Sequence, residues 1–365
     1  MKAARRIAAV ASLVLVTFAL AGCASEAPAS VPTTHSNAPS PSATASEPAL
    51  IVPSSRIPAT CDGLVPPSSS ALLTDDAKSE IETYSGDDFQ TASMRQSGAL
   101  ACHWLNPGTD GSGPLGSIDL SVAVVDQTTY DTLGSRYMDQ GATDSGFAGD
   151  QSALSCFDET CRSNMRVGDY WTQLNIYSKN DVDRVDFVKT QLASIAEILR
   201  AGGPTKPSYR AAAGSLDLGT SCDVFDGDDT FEIPFGLSGE DSYRASDGPT
   251  PPNYAAVRDT NLACSWEYGG GDSAAIAVFI LPGGAWAWPP VPEVGGYLDQ
   301  PEYFNTVSVT GADSGYQGCL DGTCVANLLV KGSWVRIVSR GDDASAFVRS
   351  LNAAVPALIA LDARN

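Results

Sequence analysis

Eight cysteines in this chain repeat their own spacing, and that repetition restricts the fold more than any other feature. Cys61, Cys102, Cys156 and Cys161 are separated by 41, 54 and 5 positions; Cys222, Cys264, Cys319 and Cys324 are separated by 42, 55 and 5. Their neighbours repeat too. Cys102-His103-Trp104 matches Cys264-Ser265-Trp266. Asn164, Val167 and Trp171 follow Cys161 at the distances at which Asn327, Val330 and Trp334 follow Cys324. Asp144-Ser145-Gly146-Phe147 recurs as Asp313-Ser314-Gly315-Tyr316, at slightly altered spacing. A fixed internal period of this kind marks a tandem duplication.

Turn chemistry assigns the bridges. In Cys319-Leu320-Asp321-Gly322-Thr323-Cys324, Asp-Gly is a two-residue hairpin turn. It makes Leu320 and Thr323 the closing pair and sets Cys319 opposite Cys324 as a non-hydrogen-bonded pair, about 4.5 Å apart at Cα, within disulfide reach. Cys156-Phe157-Asp158-Glu159-Thr160-Cys161 fits the same hairpin with a poorer turn. Cys61 with Cys102, and Cys222 with Cys264, then pair by elimination. Four-cysteine zinc sites favour two close pairs, whereas each copy has one close pair and two distant cysteines. There is no C-x-x-C redox motif.

Hydrophobic periodicity fills in the rest. The first copy reads as a helix over 71–84, strands over 99–105 and 118–125, a helical stretch over 127–139, and strands over 152–157, 161–167 and 170–177. It closes with an amphipathic helix whose inward positions are Val185, Val188, Leu192, Ile195 and Leu199. The second copy reads as strands over 262–268, 274–281, 307–310, 325–330 and 334–339, then a helix over 343–360 with Phe347, Leu351, Val355 and Leu358 inward and Pro356 a kink point. The expected class is α+β: two tandem copies of an antiparallel sheet covered by helices, each copy with two disulfides. The copies span 58–201 and 210–365, joined by a Gly/Pro-containing linker over 202–209.

The N-terminus reads as an export leader over 1–22. Lys2, Arg5 and Arg6 precede an apolar stretch over 7–20, too short to span a bilayer and followed by small residues. Leu20-Ala21-Gly22-Cys23 resembles the lipobox of bacterial lipoproteins. That resemblance implies that Cys23 is lipidated and becomes the mature N-terminus, that the protein sits on the extracytoplasmic face of the cell membrane, and that acyl chains on Cys23 make the lipid bilayer a partner. Residues 23–57, rich in Ala, Ser, Thr and Pro, cannot bury enough apolar surface to offset the entropy of ordering, and read as a disordered tether that includes His35. As a coil such a tether spans on the order of 30 Å. The pairing of an early cysteine with a later Cys-x-Trp after a Pro/Ser-rich tether (Cys61 with Cys102-His103-Trp104, Cys222 with Cys264-Ser265-Trp266) is similar to actinobacterial lipoproteins of unknown function. That likeness implies location and architecture, not chemistry. Carrying two copies, and a hairpin bridge in each, departs from that pattern.

No catalytic constellation stands out. A conventional triad would have to be built on His103, which strand alternation turns away from Cys102 and Trp104 and which reads as a solvated strand residue. G-x-S-x-G, P-loop and H-E-x-x-H motifs are absent. Asp223, Asp226, Asp228, Asp229 and Glu232 form the densest acidic cluster, but Phe231 stands where an EF-hand needs glycine, so the cluster reads as a solvated loop. No metal and no cofactor is expected. Removal of Lys2, Arg5 and Arg6 with the leader leaves 19 basic against 43 acidic residues, a net charge of −24 that repels nucleic acid.

Trp104, Trp171, Trp266 and Trp334 recur with the cysteines and read as core residues beside the disulfides. Trp286 and Trp288 have no counterpart in the first copy. They sit in a Pro/Gly-rich loop over 282–292, either as an exposed recognition patch or as a lid folded onto its own sheet. The leading functional expectation is a non-enzymatic module that binds an unknown protein or small ligand through this loop or the cleft between the copies. A carrier of an apolar small ligand and a carboxylate-dependent cell-wall hydrolase are the alternatives.

Overall fold

The computed structural model describes residues 50–66, 80–83, 89–106, 115–134, 142, 144–179, 183–203, 205–226, 229–237, 243–244, 252–267, 274–288 and 304–364. The leader, Cys23, most of the tether, Asp228 and the end of the tryptophan loop lie outside these residues. So does most of the helix expected over 71–84.

The first copy runs α1 (Cys61–Leu64), β1 (Glu80–Thr83), α2 (Phe89–Ser97), β2 (Leu100–Asn106), β3 (Gly116–Val124) and α3 (Gln127–Thr129), the last passing into a π turn over Tyr130–Gly134. It continues with β4 (Asp144–Ser145), β5 (Gln151–Phe157), β6 (Thr160–Val167), β7 (Tyr170–Ser178) and α4 (Arg184–Ala201). The second copy follows with β8 (Tyr243–Arg244), α5 (Pro252–Arg258), β9 (Leu262–Glu267), β10 (Ala274–Leu281), β11 (Asn305–Thr306), β12 (Ser314–Leu320), β13 (Thr323–Val330), β14 (Ser333–Arg340) and α6 (Ala344–Asp362).

Each copy forms a seven-stranded antiparallel sheet. The orders, β1-β2-β3-β7-β6-β5-β4 and β8-β9-β10-β14-β13-β12-β11, are the same topology twice. The protein is therefore α+β with two tandem sheets, and each carries two disulfides: Cys61–Cys102 and Cys156–Cys161 in the first, Cys222–Cys264 and Cys319–Cys324 in the second. Both hairpin bridges join directly opposed strand residues, with Cα atoms 4.1 and 4.0 Å apart. Asp321 and Gly322 have φ of 50° and 76°, the left-handed pair that a type I′ turn needs. In the first copy Asp158 adopts φ 48° but Glu159 does not go left-handed, so its hairpin closes with a less regular turn.

Helices α4 and α6 cover the disulfide-bearing face of their own sheets. Asp183 accepts from the Asp186 amide at 3.0 Å, and Asp343 from Ser345 and Ala346 at 2.9 Å, each satisfying helix-start donors. Phe187, Val188, Leu192, Ile195 and Leu199 of α4 join Cys102, Trp104, Leu120 and Leu174 in one core. Phe347, Leu351, Val355 and Leu358 of α6 join Cys264, Trp266, Val278 and Ile337 in the other, and the helix runs on through Pro356. The inward stripe of α4 is registered differently at its start: Phe187 is buried and Val185 is 39% exposed. Packing begins ahead of the expected end of the tether, since Pro53 and Ile57 are buried.

Two further local expectations are corrected. Residues 80–83 extend as β1, paired with β2, rather than continuing a helix. Residues 307–310 form no strand, because the pairing segments there are β11 and β12, which flank them. The short helices α2 and α5 had no periodic signature. They bury small residues, Ala92 and Ser93 in α2 and Ala255 and Ala256 in α5, against surfaces far away in the chain.

Those two helices organise the molecule. Helix α2 of the first copy packs on the second sheet: Phe89 lies 5.3 Å from the ring of Trp334 and 5.9 Å from Phe279. Helix α5, at the equivalent place in the second copy, packs on the first sheet, where Ala255 and Ala256 meet Ala123 and Trp171. The helices also touch each other. Each copy thus lends a helix to the back face of the other's sheet, an exchange with approximate two-fold character.

Candidate functional site

The two pairs of recurring tryptophans have different jobs. Trp104 and Trp266 sit in the disulfide cores as expected. Trp171 and Trp334 lie on the opposite faces, under the borrowed helices, which corrects their reading as disulfide neighbours. Both indole nitrogens donate at 3.1 Å to the repeated asparagine seven positions earlier, Asn164 and Asn327. The recurrence of Asn and Trp in sequence is the trace of this bond.

The structure places Trp286 and Trp288 in the lid arrangement. Trp288 stacks on Tyr316 at 5.8 Å and meets Trp334 edge-on at 5.9 Å. Trp286 donates from Nε1 to Gln96 Oε1 at 3.0 Å, under the guanidinium of Arg95 at 5.5 Å. Gln96, 3% exposed, in turn donates to Pro282 O at 2.9 Å. Both tryptophans are half-buried and clamp α2 onto the second sheet. Replacing either with Ala should therefore lower stability by about 2 kcal/mol, read from denaturant midpoints, because a packed aromatic is lost and, for Trp286, Gln96 is stranded. Unchanged midpoints would return the loop to the exposed-patch reading.

Beside this clamp an open cleft of about 700 Å³ is walled by both copies. The first copy supplies Arg56, the end of α2 at Gln96 and Ser97, and Val124. The second supplies the segment from Ser208 to Thr220 and the end of α5 with Ala256, Asp259 and Thr260. The long wall segment is fastened rather than free. Tyr209 donates to Gly283 O at 3.1 Å, and burial raises its phenol pKa. Ser333 Oγ donates to Leu216 O at 2.9 Å, and the Asp217 amide donates to Asp362 at 3.0 Å. Gly283 is required at this junction: its φ is +66°, and a Cβ would lie 3.0 Å from Ala211. Arg56 ties the first copy to the wall, its Nε donating to Lys206 O at 3.0 Å. The lining mixes Arg56 and Arg210 with Asp217, Asp259 and hydroxyls. No histidine or cysteine is among the described lining residues, so the cleft presents hydrogen-bonding and ionic groups without a nucleophile–imidazole pair.

His103 does turn away from Cys102 and Trp104. It is not simply solvated, however: Nδ1 donates to Asp119 Oδ1 at 2.6 Å, and its side chain is 21% exposed. The acidic cluster divides. Asp223, Asp226 and Asp229 face solvent or its edge, while Glu232 turns inward, 3% exposed, and accepts from Trp266 Nε1 at 2.8 Å. Among the described residues no group of three His, Cys, Asp or Glu is placed to hold a metal ion.

No protein-family model matches the chain, and no curated protein matches it. One solved structure, DynU16, a protein in the dynemicin biosynthetic locus, aligns over 84% of this chain and 94% of its own at 10% identity, with a TM-score of 0.12. A likeness that slight carries no argument about fold or function.

Proposed function

We propose that this chain is an extracytoplasmic lipoprotein, anchored through Cys23, that acts as a non-enzymatic binding module and receives its ligand or protein partner in the cleft between the two copies. The observation that carries the reading is the cleft itself: its volume of about 700 Å³ is in the range of ligand-binding sites, and both copies must be present to form it. Its lining of arginine, aspartate and hydroxyl groups suits a polar ligand and weighs against the apolar carrier. The cell-wall hydrolase reading would rest on Asp217 and Asp259, the two carboxylates of the cleft.

A photo-reactive benzoyl-phenylalanine at Ala212, an exposed cleft residue, tests this on native membranes. Capture of a discrete partner or small adduct from Ala212, but not from the same probe at exposed Ile233, is the expected result. Capture that persists in Asp217→Asn/Asp259→Asn separates binding from carboxylate chemistry. Equal labelling from both probe positions would remove the cleft from the function. Cys23→Ala should move the chain out of the membrane fraction, and retention there would remove the anchor.

A further inference from the structure

The duplication supplies an internal control for every position of the first sheet. Cross-strand partners share a face. On the face opposite α4, one row across β2, β3, β7 and β6 is His103, Asp119, Asn175 and Arg162. The next row inward includes Ser121, Gln173 and Asn164. The same first row in the second sheet is Ser265, Ala277, Val338 and Val325, and the second row includes Phe279, Arg336 and Asn327. The fold accepts Ala and Val where the first copy holds Asp, Asn and Arg, so those polar residues are not there to build the sheet.

A second, independent observation points to a ligand. Gln173 is 2% exposed, and its Nε2 has no hydrogen-bond partner. Asn175 Oδ1, on the same strand face two residues on, is also buried without a partner. The second copy carries Val338 at the place of Asn175, and an apolar side chain there leaves no acceptor unmet. A buried donor and a buried acceptor roughly 7 Å apart along one strand call for a group that offers both an acceptor and a donor. A secondary amide does so. Charge narrows the class further: Asp119 and Arg162 stand in the same row with opposite signs and Glu82 of β1 stands at its end opposite His103, a mixture that gives an anionic ligand no excess of positive charge. His103, Asp119 and Arg162 keep 21%-exposed, 44%-exposed and exposed side chains respectively, an open end suited to hydroxyl groups. Trp171, tied to Asn164, walls the inner end.

We propose that this face of the first sheet is a binding site for a neutral acetamido sugar, with the acetamido group against Gln173 and Asn175 and the ring hydroxyls against His103, Asp119 and Arg162. The site is separate from the cleft and belongs to the first copy alone.

The test is calorimetric titration of the full chain, in a detergent without sugar head groups, with the β-1,4 trimer of N-acetylglucosamine. Cellotriose, which lacks the acetamido groups, and an N-acetyl dipeptide amide, which has amides without the sugar, are the comparison probes. Saturable binding of the acetamido trimer is expected, about tenfold or more tighter than cellotriose, the worth of one good hydrogen bond. The variant His103→Ser/Asp119→Ala/Arg162→Val/Asn175→Val installs residues the second sheet already carries. It should lose binding by a similar factor with an unchanged or higher Tm. Should it fail to fold, Asn175→Val alone makes the same comparison. Equal affinity for the two trisaccharides, preference for the peptide amide, unchanged affinity in the variants, or no saturable binding at millimolar trimer would each overturn the assignment. Ala212→Trp, which fills the cleft, should leave trimer binding unchanged, so the two sites fail separately.

Discussion

Residues 50–203 expressed alone should not give a stable monomer. The first sheet would lose Ala255 and Ala256 from over Trp171, a residue with no exposed surface, and Phe89 of α2 would lose Trp334 and Phe279. Burying one large apolar side chain contributes about 1.5–3 kcal/mol, and several are uncovered together, against a typical domain stability of about 5–15 kcal/mol. The isolated copy can recover the contact only by pairing with another copy, each lending α2 to the other's sheet. Sedimentation velocity and thermal melting should therefore show either a destabilised, dye-binding monomer or a concentration-dependent dimer. Mixing with residues 205–365 should restore the melting temperature of the whole chain. A monodisperse monomer melting within a few degrees of the intact protein would show that the exchanged helices contribute little.

Loss of a long disulfide is the second large effect. Cys61–Cys102 and Cys222–Cys264 close 41 and 42 positions, whereas each hairpin bridge closes 5. In the loop-entropy account the long bridges contribute about 4 kcal/mol each and the hairpin bridges about 2. The long bridges also fasten α1 and the turn Cys222–Phe225 to β2 and β9, inside the cores. Paired substitutions, Cys61→Ala/Cys102→Ala against Cys156→Ala/Cys161→Ala, should shift denaturant midpoints in that order, with a steeper slope where the long bridge is lost because the unfolded chain then exposes more surface. Equal shifts would mean that the reduced chain keeps the long loops nearly closed by residual structure.

What could be read from the chain alone shares one physical property: it is decided by neighbours close in sequence or by a count. Strand alternation in β2, β3, β6 and β7, the stripe of α4 and α6, and the Asp321-Gly322 turn are local. The bridge pairing followed from that turn and the two-fold repetition of the cysteines, and all four bridges lie where that reasoning put them. Even the Asn–Trp bond left a trace, a seven-residue spacing that occurs twice. The exchange of α2 and α5 left none. A half-buried helix shows the same pattern whether its own sheet or another copy's covers it, and these two are short and bury mainly small residues beside Phe89 and Met94, which carry almost no periodic signal. Trp171 and Trp334 were legible as buried, but burial does not say on which face. Trp286 and Trp288 were legible as aromatic residues in a loop; only the approach of Gln96 and Arg95, some 190 positions away, made them a clamp. The cleft and the polar face of the first sheet likewise exist only through contacts between distant segments. The amino-acid order settled the two sheets, their disulfides and their covering helices, because those depend on local period and pairing. The tertiary structure alone decided how one copy completes the other, because a packing surface is defined by what meets it.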